Sequence, residues 1–375
     1  MTWKIPLFKM YWDEDDVNSV SETIRSGMNW AVGENVSQFE KEIADYIGTE
    51  YCLTFNSGTS ATHAALLAHG IGKGDEVIVP SFTFIATANA PQFVGAQPIF
   101  ADIEKETFGL DPDDVVNKIT PNTKAIMPVH YGGCPCKIEE LREIANEHNL
   151  ILIEDAAEAF GAAVGNKKVG AFGDSAMLSF CQNKIVTTGE GGAIVTDSRD
   201  LYEKMKLIRS HGRLETADYF STTDVMDYVT LGYNFRMSNI TAALGLSQLR
   251  KIDYIINSRK TNAEYYASKL SDISEINIIG TTDRYCNVYQ LFSILAKERD
   301  SLMQYLEQKG IMTKVYFMPV HKTYFYQSKL NYRCELPITE EISANILSLP
   351  FYPGISKDDI DIVVDNIKKF YKQGE

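Results

Sequence analysis

The sequence predicts an α/β fold, with a large, mostly parallel sheet domain over residues 1–250 and a smaller C-terminal α+β domain over 251–375. Three observations predict it. Strand-length apolar runs alternate with helical patterns through the first two thirds of the chain. Those runs are continuously apolar rather than alternating, as in strands covered on both faces by helices. Near residue 250 the pattern changes to a long helix, from about Leu249 to Arg259, followed by shorter elements.

Taken in order, Tyr51 to Phe55 reads as a strand, and the helix formers Ala64, Ala65, Leu66, Leu67 and Ala68 mark the helix after it. Further strands are expected at Glu76–Val79, Gln97–Phe100, Lys124–Val129, Leu150–Ile153, Ala176–Phe180 and Ala193–Thr196. Ile138 to Asn149 carries Ile138, Leu141, Ile144 and Ala145 at three-to-four spacing, which makes a helix with one apolar stripe. The polar stretch 213–228 has weak periodicity and reads as a loop. Beyond it, Asn287–Leu295 reads as a strand and Asp300–Lys309 as a helix stopped by Gly310. Lys357–Tyr371 reads as a terminal amphipathic helix.

Composition narrows the function. The 375 residues include 45% apolar and 23% charged residues, the balance of a globular soluble chain. A net charge of −14 opposes binding to nucleic acid or to anionic membranes, leaving only a local basic pocket for an anionic ligand. The N-terminus lacks a long apolar run, and no later stretch approaches the ~20 apolar residues that span a bilayer. Six irregularly spaced cysteines do not make a disulfide framework, so a cytoplasmic protein is expected. Cys134-Pro135-Cys136 has no second Cys or His pair at ligand spacing, and no metal is expected.

Three segments carry chemistry. Ser57-Gly58-Thr59 lies between a strand and a helix, where free N–H groups and the helix dipole suit a phosphate; an ordinary capped helix would read the same way. Asp155 follows the strand Leu150–Ile153 directly, at the strand end that faces a ligand crevice in α/β sheets. There it can keep a heteroaromatic nitrogen protonated, or merely be a solvated cap. Lys184 follows the apolar run Leu178–Phe180, and an amine near low-dielectric surroundings can attack a carbonyl. An anion cradle, an acid and an amine are the three contacts pyridoxal 5′-phosphate requires.

With these segments the chain resembles the DegT/DnrJ/StrS-type sugar aminotransferases of the aspartate-aminotransferase-like fold. The resemblance is carried by Ser57-Gly58-Thr59-Ser60-Ala61, Glu154-Asp155-Ala156-Ala157-Glu158-Ala159, Ser179 to Gly192, and Gly232-Tyr233-Asn234-Phe235-Arg236-Met237. It implies pyridoxal 5′-phosphate as cofactor, with Lys184 as the Schiff-base lysine, Asp155 on the pyridine nitrogen, and Gly58, Thr59 and Ser179 on the phosphate. It implies that Asn234 reaches the phosphate of a second subunit, so that the active form is a homodimer. Phe84 resembles the aromatic stacked on the cofactor ring, and His321 a position near the sugar. Glu158 stands where relatives carry glutamine, histidine or glutamate; beside a phenolate it would be protonated or turned away. The reaction implied is a ping-pong amino transfer from L-glutamate to a nucleotide-linked keto sugar, with the 4-keto-6-deoxyhexose type favoured. A sugar dehydratase and an aminotransferase for a keto-cyclitol are the alternatives within the same fold.

Overall fold

The computed structural model describes residues 3–214, 222, 223, 225–278 and 284–372. Seven strands form the central sheet: β1 Tyr51–Phe55, β2 Glu76–Pro80, β3 Gln97–Ala101, β4 Thr123–Ile126, β5 Ile151–Asp155, β6 Ser175–Ser179 and β7 Gly192–Thr196. Their spatial order is β1-β7-β6-β5-β4-β2-β3. Only β7 runs against the others, pairing antiparallel with both β1 and β6. The remaining contacts within the sheet are parallel. Their burial is nearly continuous: Val77, Ile78, Val79, Leu152, Ile153, Ala193, Ile194 and Val195 are all fully buried. Helices cover both faces, which explains why these strands read as unbroken apolar runs.

The helix Ile252–Leu270 carries the chain to a second sheet of three antiparallel strands, Ile276–Ile278, Ser293–Ala296 and Ile346–Ser348. The terminal helix Lys357–Lys372 packs there through Ile360, Val363, Val364 and Ile367. Ile5 joins this same core and bridges to Ile311, so the N-terminal segment packs with the C-terminal elements.

One expected strand is shorter than its sequence suggests. Of the Asn287–Leu295 run only Ser293–Leu295 is extended in the sheet, in the strand Ser293–Ala296. The first part is taken up by contacts with another loop: Val288 N–H donates to the Gly133 carbonyl and Leu291 N–H to that of Gly132. The buried Arg259 holds the Tyr289 and Gln290 carbonyls, and Tyr289 has a φ of 51°. Of the expected loop 213–228, residues 215–221 and 224 lie outside the described residues; Arg213 bridges to Tyr228 across it. Among the described residues no helix is long and apolar enough to cross a membrane.

Candidate active site

The carboxyl ends of β5 and β6 and the turn after β1 converge on one cleft of about 410 Å³. It is lined by Ser57, Gly58, Thr59, Phe84, Asp155, Glu158, Ser179 and Lys184 among others. Sequence reasoning had placed seven of these in a site; strand register brings them together, because each follows a strand that ends on the same side of the sheet.

The helix Gly58–Ala68 opens the cradle. Ser57 is its N-cap and accepts the Ser60 N–H at 3.1 Å, while the first-turn N–H groups of Gly58 and Thr59 have no intrahelical acceptor. The turn is tightly packed here, which suits glycine. A Cβ on Gly58 would lie 3.0 Å from Met177 Sδ and 3.4 Å from Ser179 Cβ. The Ser179 hydroxyl sits beside the same turn, at the end of β6.

Asp155 is buried and takes two local donors. Thr87 Oγ1 donates to Oδ2 at 2.7 Å and the Ala157 N–H to Oδ1 at 3.1 Å. Burial pushes its carboxyl above the usual range, against the opposing pull of Thr87, Ala157 and the Lys184 charge. An acid so desolvated suits a buried cationic partner, which would restore its ionised form. Thr87 was missed in the sequence, although Thr83 and Thr87 share a face at four-residue spacing; their hydroxyls lie 2.9 Å apart.

Lys184 Nζ donates to Glu158 Oε1 at 3.2 Å, and the Gly132 N–H donates to Glu158 Oε2 at 2.9 Å. Glu158 therefore points into the cleft and pairs with the amine. Asn183 O accepts from Gln290 Nε2, so a residue of the second half of the chain fixes the loop that carries Lys184.

Two expected site residues stand apart. His321 is 3% exposed and does not line the cleft. The Ser81 hydroxyl accepts the His321 backbone N–H at 3.0 Å and lies 2.6 Å from Nδ1, while Nε2 faces Glu340 Oε1 at 3.3 Å. These contacts make it a brace behind the wall, where burial holds its pKa below the ordinary value. Asn234 is exposed and also outside the lining of its own chain's cleft; its carbonyl lies 3.3 Å from Asn56 Nδ2. Phe84 does line the cleft, 63% exposed and 6.4 Å from Phe317 between ring centres. Asn183 and Glu190, in the loop that carries Lys184, also line the walls, as do Lys314, Tyr316 and Phe317, which no local sequence signal marks.

The cradle, the desolvated acid and the amine in a single cleft fit pyridoxal 5′-phosphate. Cys134 and Cys136 are buried thiols, and burial pushes both above the ordinary value, that of Cys134 to about 12.

Known proteins resemble this chain over nearly its full span. Residues 11–368 match the DegT/DnrJ/EryC1/StrS aminotransferase family. A GDP-perosamine synthase of Escherichia coli O157:H7 is 36% identical over 370 residues, covering 98% of both chains. Another, from Caulobacter vibrioides, is 40% identical over 340 residues, covering 89% of each. Spr1654 of Streptococcus pneumoniae, solved in its PLP form, superposes with a TM-score of 0.91 at 25% identity, covering 100% of this chain and 99% of that one. The chain thus belongs to the DegT/DnrJ/EryC1/StrS aminotransferase family, with pyridoxal 5′-phosphate as its cofactor.

Proposed function

We propose that the protein moves an amino group from L-glutamate to a nucleotide-linked keto sugar of the 4-keto-6-deoxyhexose type. What carries this reading is the placement of Lys184, Asp155 and the Gly58 turn around one cleft. The likeness to two GDP-perosamine synthases supports the substrate class and favours a GDP-linked sugar.

When bound, the cofactor supplies an aldehyde for amine exchange and a ring that accepts electron density. The chain's own residues do the rest. Gly58, Thr59 and Ser179 hold the phosphate through N–H groups and a hydroxyl. Asp155 holds the proton on the ring nitrogen, an electrostatic contribution in place before reaction begins. Phe84, on the cleft wall, would lie against the cofactor's ring. Lys184 would hold the cofactor through its amine, and its Nζ, when free, would take up and return a proton. Glu158, fixed by the Gly132 N–H, orients the Lys184 amine. Asn234, exposed and outside the lining of its own cleft, contributes to the phosphate site of a second subunit in a homodimer.

Lys184→Ala tests the reading. The cofactor-loaded variant should lose both amino transfer and the near-visible absorbance of the covalent adduct. Wild-type turnover with that band intact would refute the assignment.

A further inference from the structure

A site that alternates between these two substrates meets an anion each time, and the inference here rests on that reading. L-Glutamate brings a second carboxylate beyond the reacting carbon, and a nucleotide sugar brings a diphosphate. The cleft opposes both. Its described lining carries three carboxylates, Asp155, Glu158 and Glu190, against two ammonium groups, Lys184 and Lys314. Lys184 is already paired with Glu158 and is reserved for chemistry.

Lys314 stands differently. Its backbone is fixed by an antiparallel bridge, with Lys314 N–H donating to the Ser348 carbonyl at 3.1 Å and Ser348 N–H to the Lys314 carbonyl at 2.8 Å. The same wall is pinned again where Tyr131 Oη donates to the Tyr316 carbonyl at 2.6 Å. The side chain is exposed, and its Nζ rests 4.9 Å from the centre of the Tyr316 ring. Among the described residues Lys314 forms no ion pair with a carboxylate. A fixed base with an exposed ammonium that no carboxylate holds is what a distal anion needs. A lysine's flexible stem and point charge let one residue serve anions of different shape.

We propose that Lys314 is the residue that recognises the anionic end of the substrate at the mouth of the cleft. The shared chemistry is a carboxylate or a diphosphate held by one ammonium group, displacing it from the Tyr316 ring. Lys314 is a specificity-determining residue and takes no part in proton transfer.

The test uses cofactor-loaded enzyme and follows each half-reaction by absorbance, with L-glutamate in one arm and a GDP-linked 4-keto-6-deoxyhexose in the other. Glutarate and GDP serve as non-reacting probes whose dissociation constants are read by calorimetry. Lys314→Met should raise the half-saturating concentration in at least one arm by about tenfold, the loss of one charge-assisted contact. The matching probe should weaken in parallel, and the limiting rate should fall much less. Lys314→Arg should recover most of the affinity. A shift confined to glutamate and glutarate assigns the carboxylate, and one confined to the sugar and GDP assigns the diphosphate. Unchanged affinity in both arms, or a loss confined to the limiting rate, overturns the inference. Failure of the wild-type enzyme to react with L-glutamate at all would instead overturn the proposed function.

Discussion

Thr87→Val isolates what the hydroxyl behind Asp155 contributes. Thr87 Oγ1 gives its proton to Asp155 Oδ2 at 2.7 Å inside a buried site, so Thr83, 2.9 Å away, must donate to Thr87 in turn. Valine keeps the shape and removes the donor. A hydrogen bond to a charged group contributes about 1.5–3 kcal/mol net, which corresponds to roughly a ten- to hundredfold change in an equilibrium. The sign follows from the charge. A donor favours the ionised carboxylate, so its removal pushes the Asp155 carboxyl further in the upward direction burial has already set. A protonated Asp155 cannot balance a positive ring nitrogen. Pyridoxal 5′-phosphate affinity, measured by absorbance titration, should therefore fall by roughly that ten- to hundredfold factor. The pH below which the cofactor is lost should also rise. Thr87→Ser should restore both, while Thr83→Val, which removes only a neutral bond, should cost tenfold at most. Wild-type cofactor affinity and acid limit in Thr87→Val would refute the electrostatic role assigned to this relay.

Two further predictions concern other parts of the chain. If Asn234 completes a second subunit's site, mixing inactive Lys184→Ala with impaired Asn234→Asp should regenerate activity. Hybrid dimers contain one intact site, so equal mixing gives about a quarter of the wild-type rate by statistics; no recovery, or a fully active monomer in sedimentation, would sink the shared-site idea. His69, hydrogen-bonded to Ser175 at 3.0 Å, has its pKa lowered by burial from 6.5 to about 4. The unfolded chain therefore binds that proton more tightly. Stability from this residue is present above pH 6.5 and is lost as pH falls towards 4, by about 2 kcal/mol between pH 7 and pH 5. Denaturant unfolding of His69→Gln should show a flatter pH dependence; an unchanged slope would contradict it.

Much of the sheet could be read directly, because strands such as Glu76–Pro80 and Ile151–Asp155 are buried on both faces and must be apolar throughout. Asn287–Phe292 misled for the same reason. Its apolar residues also become buried, as Val288 does, but against the Gly132–Gly133 turn rather than in a ladder. In the site, Gly58, Asp155, Ser179 and Lys184 were legible because each lies where a strand stops. Lys314, Tyr316 and Phe317 arrive from more than a hundred residues away through packing, and nothing local marks them. His321 carries no pattern in the sequence that shows its contacts with Ser81 and Glu340, which come from elements far apart in the chain.

The bond from Gln290 Nε2 to the Asn183 carbonyl makes the reactive amine a property of the whole chain. A fragment ending before the helix Ile252–Leu270 would keep the anion cradle and the buried acid while losing the pin on the residue next to Lys184. Such a piece could still capture the cofactor's phosphate, yet would leave the amine to wander. The turn after β1 and the loop that carries Lys184 thus depend on different stretches of sequence, and the bond from Gln290 joins them.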